Sequence, residues 1–214
     1  ENLDVTIYDA LTRTQKPLES VIVNTNTPNL DIAPSNILLS GVESELIATG
    51  HGREYVLCQQ LESLTNRYEI CIIDCAPSLS LMTLNALVAG GEVIIPVQSH
   101  YYALEGLKQL LETIDIVKAR FNHDLKILGI LLTFMESRTR LGKQLLQQMK
   151  EYFGPLVFET VIHRNITLAE APSAGIPVIE YNKRCKGAAE YTKLAKEITD
   201  EKKIRTAQEN FFDI

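Results

Sequence analysis

The chain has 214 residues, of which 45% are hydrophobic, 22% charged and 7% aromatic, and 27 acidic against 21 basic side chains give a net charge of −6. That profile suits one globular domain and excludes a collagen-like rod, a disulfide-stapled mini-protein and an extended disordered chain. No apolar run approaches the roughly 18–20 residues needed to cross a bilayer, and the acidic balance confines any nucleic-acid contact to a local basic patch.

The sequence opens at Glu1 without an initiator Met, a basic n-region or an apolar h-region. No secretory signal is expected, and the sequence reads as a segment whose start has been cut away. Within the first 65 residues the pattern is irregular, with short strands expected at Val21–Val23 and Leu30–Ala33 and helices at Glu43–Thr49 and Glu54–Leu64. From Tyr68 onward, short apolar runs alternate with helical periodicity. Tyr68–Asp74 reads as a strand buried on both faces, Ser80–Ala89 as a helix and Glu92–Val97 as a second strand. Tyr102–Phe121 is a long amphipathic helix with Leu104, Leu107, Leu111, Ile114 and Val117 on one stripe. Leu125–Thr133 follows as a third buried strand, Arg140–Phe153 as a helix, Leu156–Ile162 as a fourth strand and Cys185–Thr199 as a last helix. Buried strands alternating with amphipathic helices imply an α/β fold, a mostly parallel sheet with helices on both faces. Residues 1–200 form the expected domain and residues 201–214 a polar tail.

Cys58, Cys71, Cys75 and Cys185 are too few for a disulfide framework, and no His stands beside Cys71 and Cys75 to complete a zinc site. Buried free thiols in a reducing compartment are expected.

In an open parallel sheet, ligands bind beyond the carboxyl ends of the strands. The suspects are therefore Asp74 with Cys75-Ala76-Pro77-Ser78, then Gln98, then Thr133 and Phe134, and finally His163-Arg164-Asn165, all expected on one rim. An acid closing a run of four apolar residues has the Walker B form, which holds Mg²⁺ through water. The same Asp could instead cap the next helix, as could Ser78 or Ser80; spacing alone leaves both readings open. His51, His100, His123 and His163 are scattered, with none paired at ligand spacing. The chain contains no G-x-S-x-G, no H-E-x-x-H and no G-x-x-x-x-G-K-[ST]. Its one Gly-Lys pair, Gly142-Lys143, falls inside a predicted helix.

Longer stretches carry more information. IIDCAPSLSLMTLNALVAGGEVIIPVQSHYYALEG (Ile72–Gly106) resembles the Walker B and switch II region of ParA/Soj partitioning ATPases. GILLTFMESRTRLGKQLL, VIHRNITLAEAPSAGIPVIEYN and KGAAEY downstream, and LDIAPSNILLSGVESEL upstream, resemble the same family in the same order. Its relatives begin with a strand, a deviant P-loop, a helix and a switch I strand, for which this sequence has no counterpart. The resemblance implies an ATP-dependent switch of P-loop NTPase-like fold, here lacking its first strand and P-loop helix. It implies that ATP drives a homodimer that binds DNA nonspecifically, and that a ParB-like partner stimulates hydrolysis. The setting would be cytoplasmic and nucleoid-associated, serving chromosome or plasmid partition. Without Walker A, the residues given are not expected to hydrolyse ATP alone.

Residue by residue, the resemblance gives Asp74 the Walker B role, with Mg²⁺ held through water, and makes Cys75–Ser78 the switch II loop. Ala76 stands where the family usually has the first of two prolines, ahead of Pro77. Phe134 and Met135 would frame the adenine together with His163, Arg164 and Asn165, and His163 stands where the family usually has Pro. For DNA, Arg138, Arg140, Lys143 and Lys150, with Gln147, form a basic stripe, and Lys183, Arg184 and Lys186 form a second cluster. A solvated helix face explains the same charges. Two rivals follow: a non-catalytic remnant that keeps the dimer and DNA surfaces, and a MinD-like membrane-surface ATPase using the tail. Membrane association is not expected, because the amphipathic stretch of the tail is short. Loss of a central strand would also leave the strands bearing Asp74 and Thr133 with unpaired edges, which predicts poor solubility of residues 1–214 alone.

Overall fold

The computed structural model describes residues 5–12, 16–76, 78–99, 103–136 and 139–200; Pro77, His100, Arg138 and the tail 201–214 lie outside the described residues. Helix α1 (Ile7–Leu11) leads to an antiparallel pair of two-residue strands, β1 (Val23–Asn24) and β2 (Asp31–Ile32). Helices α2 (Val42–Thr49), α3 (Val56–Glu62) and α4 (Leu81–Ala89) follow. Strand β3 (Glu92–Gln98), helix α5 (Ala103–Arg120) and strand β4 (Lys126–Thr133) form a β-α-β succession. After them come α6 (Arg140–Phe153), α7 (Ile166–Ser173), α8 (Val178–Tyr181) and α9 (Lys186–Thr199). The chain divides into two compact units, Glu1–Gly91 with Glu112–Leu125, and Glu92–Leu111 with Lys126–Ile214.

In the first unit, the short helices bury one face each in two small apolar clusters. One is built on Ala10, Leu18, Val21 and Leu64, the other on Leu11, Val42, Leu46 and Leu57. Two asparagines hold these helices together. Asn85 is fully buried and accepts from the Leu57 N–H (3.2 Å) while donating to the carbonyls of Arg53 (2.8 Å) and Leu81 (3.0 Å). The Asn122 amide donates to the carbonyls of Leu87, Val88 and Gly90 (3.1, 3.1 and 2.7 Å), supplying partners for the last turn of α4.

In the second unit, β3 and β4 pair in parallel from Glu92↔Lys126 to Gln98↔Thr133, with one irregularity between Val93 and Ile94. The Leu- and Ile-rich β4 buries Ile130, Leu131 and Leu132, as expected of a parallel strand covered on both faces. Its core partners include Phe158, Ile162 and Leu194. Gly129 has to be glycine: a Cβ there would sit 2.5 Å from the Phe158 ring. Gly142-Lys143 lies inside α6, as expected, and a Cβ on Gly142 would come within 2.8 Å of the Glu136 carbonyl oxygen.

Four expectations need correction. Tyr68–Asp74 is not a strand: it is irregular, with a bend at Glu69 and no ladder partner among the described residues, and Ile70 and Ile72 are 67% and 88% exposed. An apolar run becomes a buried strand only where a neighbour pairs with it. Leu156–Ile162 is not a regular strand either. Leu156 closes a 3₁₀ turn, and in place of a continuous ladder the following residues make, among the described residues, isolated parallel bridges, Ile130↔Val157 on β4 and Met135↔His163 just beyond its end. The cysteines are free but not buried; Cys71 and Cys75 are exposed and Cys58 and Cys185 half-buried. Partial desolvation still pushes the Cys71 and Cys75 thiols up, helped at Cys75 by the Asp74 carboxylate. Finally, Val21 is a buried turn residue rather than part of a strand, and α1, α7 and α8 were not expected.

Candidate functional site

The end of β4 makes an abrupt change of direction. Phe134 adopts a left-handed backbone (φ 51°) and is 56% exposed, and the next residue, Met135, is buried. For a bulky residue that geometry costs on the order of 1–2 kcal/mol, and such outliers concentrate at functional sites. Backbone and side-chain bonds hold the turn. The Ser99 hydroxyl donates to the Phe134 carbonyl (2.9 Å), the Met135 N–H to the Ile162 carbonyl (3.1 Å) and the Arg164 N–H to the Met135 carbonyl (3.1 Å). Phe134, Met135, His163 and Arg164 are thereby brought to one rim. Asn165 caps α7, accepting from the Thr167 N–H (2.9 Å), and the exposed Arg164 guanidinium lies 3.3 Å from Glu136.

The segment beside β4 is bulged. The N–H groups of Phe158 and Ile162 bond to the carbonyls of Ile130 (3.0 Å) and Leu132 (2.9 Å), so four residues on one side span two on the other. The extra N–H groups, at Glu159 and Thr160, are accepted by the two oxygens of Glu197 (2.7 and 2.9 Å). One heptad earlier on α9, Glu190 accepts from the His163 N–H (2.9 Å) and lies 2.6 Å from His163 Nδ1. Sequence reasoning missed both glutamates. Their signal was spacing: residues 187, 190, 194 and 197 share one helical face, and that face carries the buried Gly187 and Leu194.

Asp74 belongs to the first unit and is exposed, as are Cys75 and Ala76. Ile73, just before it, packs on the cluster around Leu46 and Leu57. Beyond it, the Ser78 N–H turns back to the Ala76 carbonyl (2.8 Å), Ser80 Oγ caps α4 at Thr83, and Glu43 from α2 accepts the Leu81 N–H (3.0 Å). The helix cap is thus Ser80, not Asp74, which leaves the acid exposed at the end of its run. Among the described residues, no cluster of three or more His, Cys, Asp or Glu side chains forms a protein-only metal cage.

Of the basic candidates, Arg140, Lys143 and Lys150 are exposed on α6, Lys183 and Arg184 are exposed on the turn before α9, and Lys186 opens α9. Lys150 is bonded to Glu159 (3.1 Å) and Lys186 lies 3.5 Å from Glu190, so part of this charge is already neutralised. No helix among the described residues is long and apolar enough to cross a membrane.

Comparison with known proteins agrees with this architecture. A family model described as an AAA domain matches residues 1–127. The chain is 47% identical over 192 residues to the sporulation initiation inhibitor protein Soj of Bacillus subtilis, covering 90% of this chain and 75% of that protein. It is 43% identical over 198 residues to the chromosome partitioning protein ParA of Myxococcus xanthus, covering 92% and 69%. Among solved structures, it resembles a Mycobacterium smegmatis cobyrinic acid a,c-diamide synthase with bound ATP analog and magnesium (TM-score 0.70, 32% identity, 86% of this chain and 75% of that one). The α/β fold with its parallel strand pair is that of the P-loop NTPases, and the chain belongs to the Soj/ParA family of partitioning ATPases.

Proposed function

We propose that the protein is an ATP-dependent partitioning switch, in which the rim of Phe134, Met135, His163, Arg164 and Asn165 receives the adenine and Asp74 holds Mg²⁺ through its water shell. The observation that carries this reading is the rim itself. An exposed aromatic ring on a strained turn lies beside a hydrogen-bonding edge, which suits a flat base with polar margins. Asp74 supplies the complementary chemistry. Mg²⁺ keeps several waters and needs only one or two carboxylates, so a single exposed acid at the end of an apolar run fits it. When bound, the ion neutralises charge developing on the phosphates.

The chain's own residues would orient the base, keep the switch II loop of Cys75, Ala76, Pro77 and Ser78 next to the acid, and report the state of the phosphates through α4. Cradling the β- and γ-phosphates needs a Walker A loop in addition to these residues. A homodimer would double the basic charge of Arg138, Arg140, Lys143, Lys150, Lys183, Arg184 and Lys186 and favour nonspecific DNA, with a ParB-like partner stimulating turnover. The naming of its relatives as chromosome partitioning proteins supports this role.

The test is steady-state phosphate release by the full-length protein with ATP, Mg²⁺ and DNA. Asp74→Ala should lower turnover by about 100-fold or more, with the thermal melt unchanged because Asp74 is exposed. Equal rates in both proteins would overturn the assignment. DNA retention without any turnover in the wild type would favour the non-catalytic binding module instead.

A further inference from the structure

The densest polar contact at the rim comes from a residue of α9, not of the rim. Glu190 has only 13% of its side chain exposed, and it faces three donors. Oε2 accepts the His163 main-chain N–H (2.9 Å); Oε1 lies 2.6 Å from His163 Nδ1 and 3.5 Å from Lys186 Nζ. An ionised carboxylate only accepts, so the hydrogen in the short contact belongs to Nδ1. That fixes the tautomer: in the neutral ring Nε2 carries the lone pair. Among the described residues Nε2 has no partner, and a quarter of the side chain reaches solvent.

We propose that Glu190 is a positioning residue that holds His163 with Nδ1–H toward α9 and Nε2 as an acceptor at the rim, so that the rim selects a purine with an exocyclic amine over one with a carbonyl there. This rests on the proposal that a nucleotide base occupies the rim. The 6-amino group of adenine donates to such an acceptor, whereas the 6-oxo group of guanine would set one lone pair against another. Releasing the ring lets Nε2 become the protonated nitrogen, which reverses the preference of that contact.

Glu197 provides the internal control. It staples the same segment to α9 through the N–H groups of Glu159 and Thr160, three residues or more before His163. The experiment measures dissociation constants for Mg-ATP and Mg-GTP on the full-length protein by calorimetry, and the His163 tautomer by long-range ¹H–¹⁵N NMR. The wild type should show Nδ1 protonated and ATP bound more tightly than GTP. Glu190→Ala should shift the tautomer and lower the ATP-over-GTP ratio about tenfold, the worth of one hydrogen bond made or opposed. Glu190→Gln keeps an acceptor for Nδ1–H and should retain the tautomer and most of the ratio; Glu197→Ala should retain both.

An unchanged tautomer and ratio in Glu190→Ala overturns the inference and leaves the nucleotide reading standing. So does an equal fall in Glu197→Ala, which would reduce Glu190 to a staple. A wild type that binds neither nucleotide overturns both. If Glu190→Ala does not fold, His163→Phe carries the test, since it keeps a flat ring without the acceptor: the same fall supports the inference, and an unchanged ratio overturns it.

Discussion

Two apolar runs, 68–74 and 156–162, look alike as sequence and end as different objects. The second lies against β4, and where its backbone departs from the ladder, carboxylates from α9 take over the stranded N–H groups. The first packs through Ile73 and through Tyr68, whose hydroxyl donates to Asp31 (2.7 Å), but has no ladder among the described residues. A run of β-branched residues therefore specifies the capacity to pair; whether it pairs depends on what lies beside it. The contrast also divides the proposed chemistry, since the base-binding candidates sit on a cross-braced edge and the metal-binding candidate on an exposed segment.

The largest effect is expected on the braced side. Gly129→Ala drives a methyl group into the Phe158 ring and should cost about 2 kcal/mol, read as a drop in the urea midpoint. Phe158→Leu in that background should recover part of the loss, and a midpoint at the wild-type value in Gly129→Ala would show that the edge yields as easily as the 68–74 run. Next comes Glu197→Ala, which removes the acceptor of two N–H groups, one of them on the buried Thr160. About 1–2 kcal/mol and faster amide exchange confined to Glu159 and Thr160 are expected. Unaltered exchange there would mean that α9 does not brace the bulge.

A smaller, pH-dependent effect is expected at the anchor of the other run. The Tyr68 hydroxyl, then the Asn24 amide, with Arg67 nearby, hold the Asp31 carboxyl below its ordinary range. Its stabilisation is present above the unfolded value of about 4 and is lost as pH falls through the depressed folded value. The same bond raises Tyr68, whose share is present below about pH 10 and lost as pH climbs through its raised folded value. Asp31→Asn should therefore flatten the acid limb of melting temperature against pH, and an acid limb as steep as in the wild type would rule out this anchor. Smallest of all, Ile72→Ser should shift stability by no more than about 0.5 kcal/mol, because its side chain is already in solvent. A loss of several times that amount in a urea melt would mean that the 68–74 run is buried after all.

Long, periodic elements were legible. The Arg140–Phe153 helix stands at the predicted bounds, and β3, α5, β4 and α9 lie within a residue or two of them, because their apolar spacing matches their burial. Short helices were not: Ile7–Leu11 and Val178–Tyr181 are too brief for a period to register. At the rim, the β4 end and His163–Asn165 followed from the rule about strand ends. Glu190 and Glu197 did not, since an acidic residue on a helix reads as solvated until the bulge it serves is known. Asp74 was legible as the end of an apolar run, but not as the end of an unpaired one.

The backbone at Phe134 sets stability against use. A left-handed residue is cheapest as glycine or asparagine, yet the chain places a large aromatic there. Selection for folding alone would erase that ring, and every generation that keeps it forgoes on the order of 1 kcal/mol of folding free energy. A thermostabilising redesign guided by backbone preference would choose this position early and would remove the flat surface on which a base can rest.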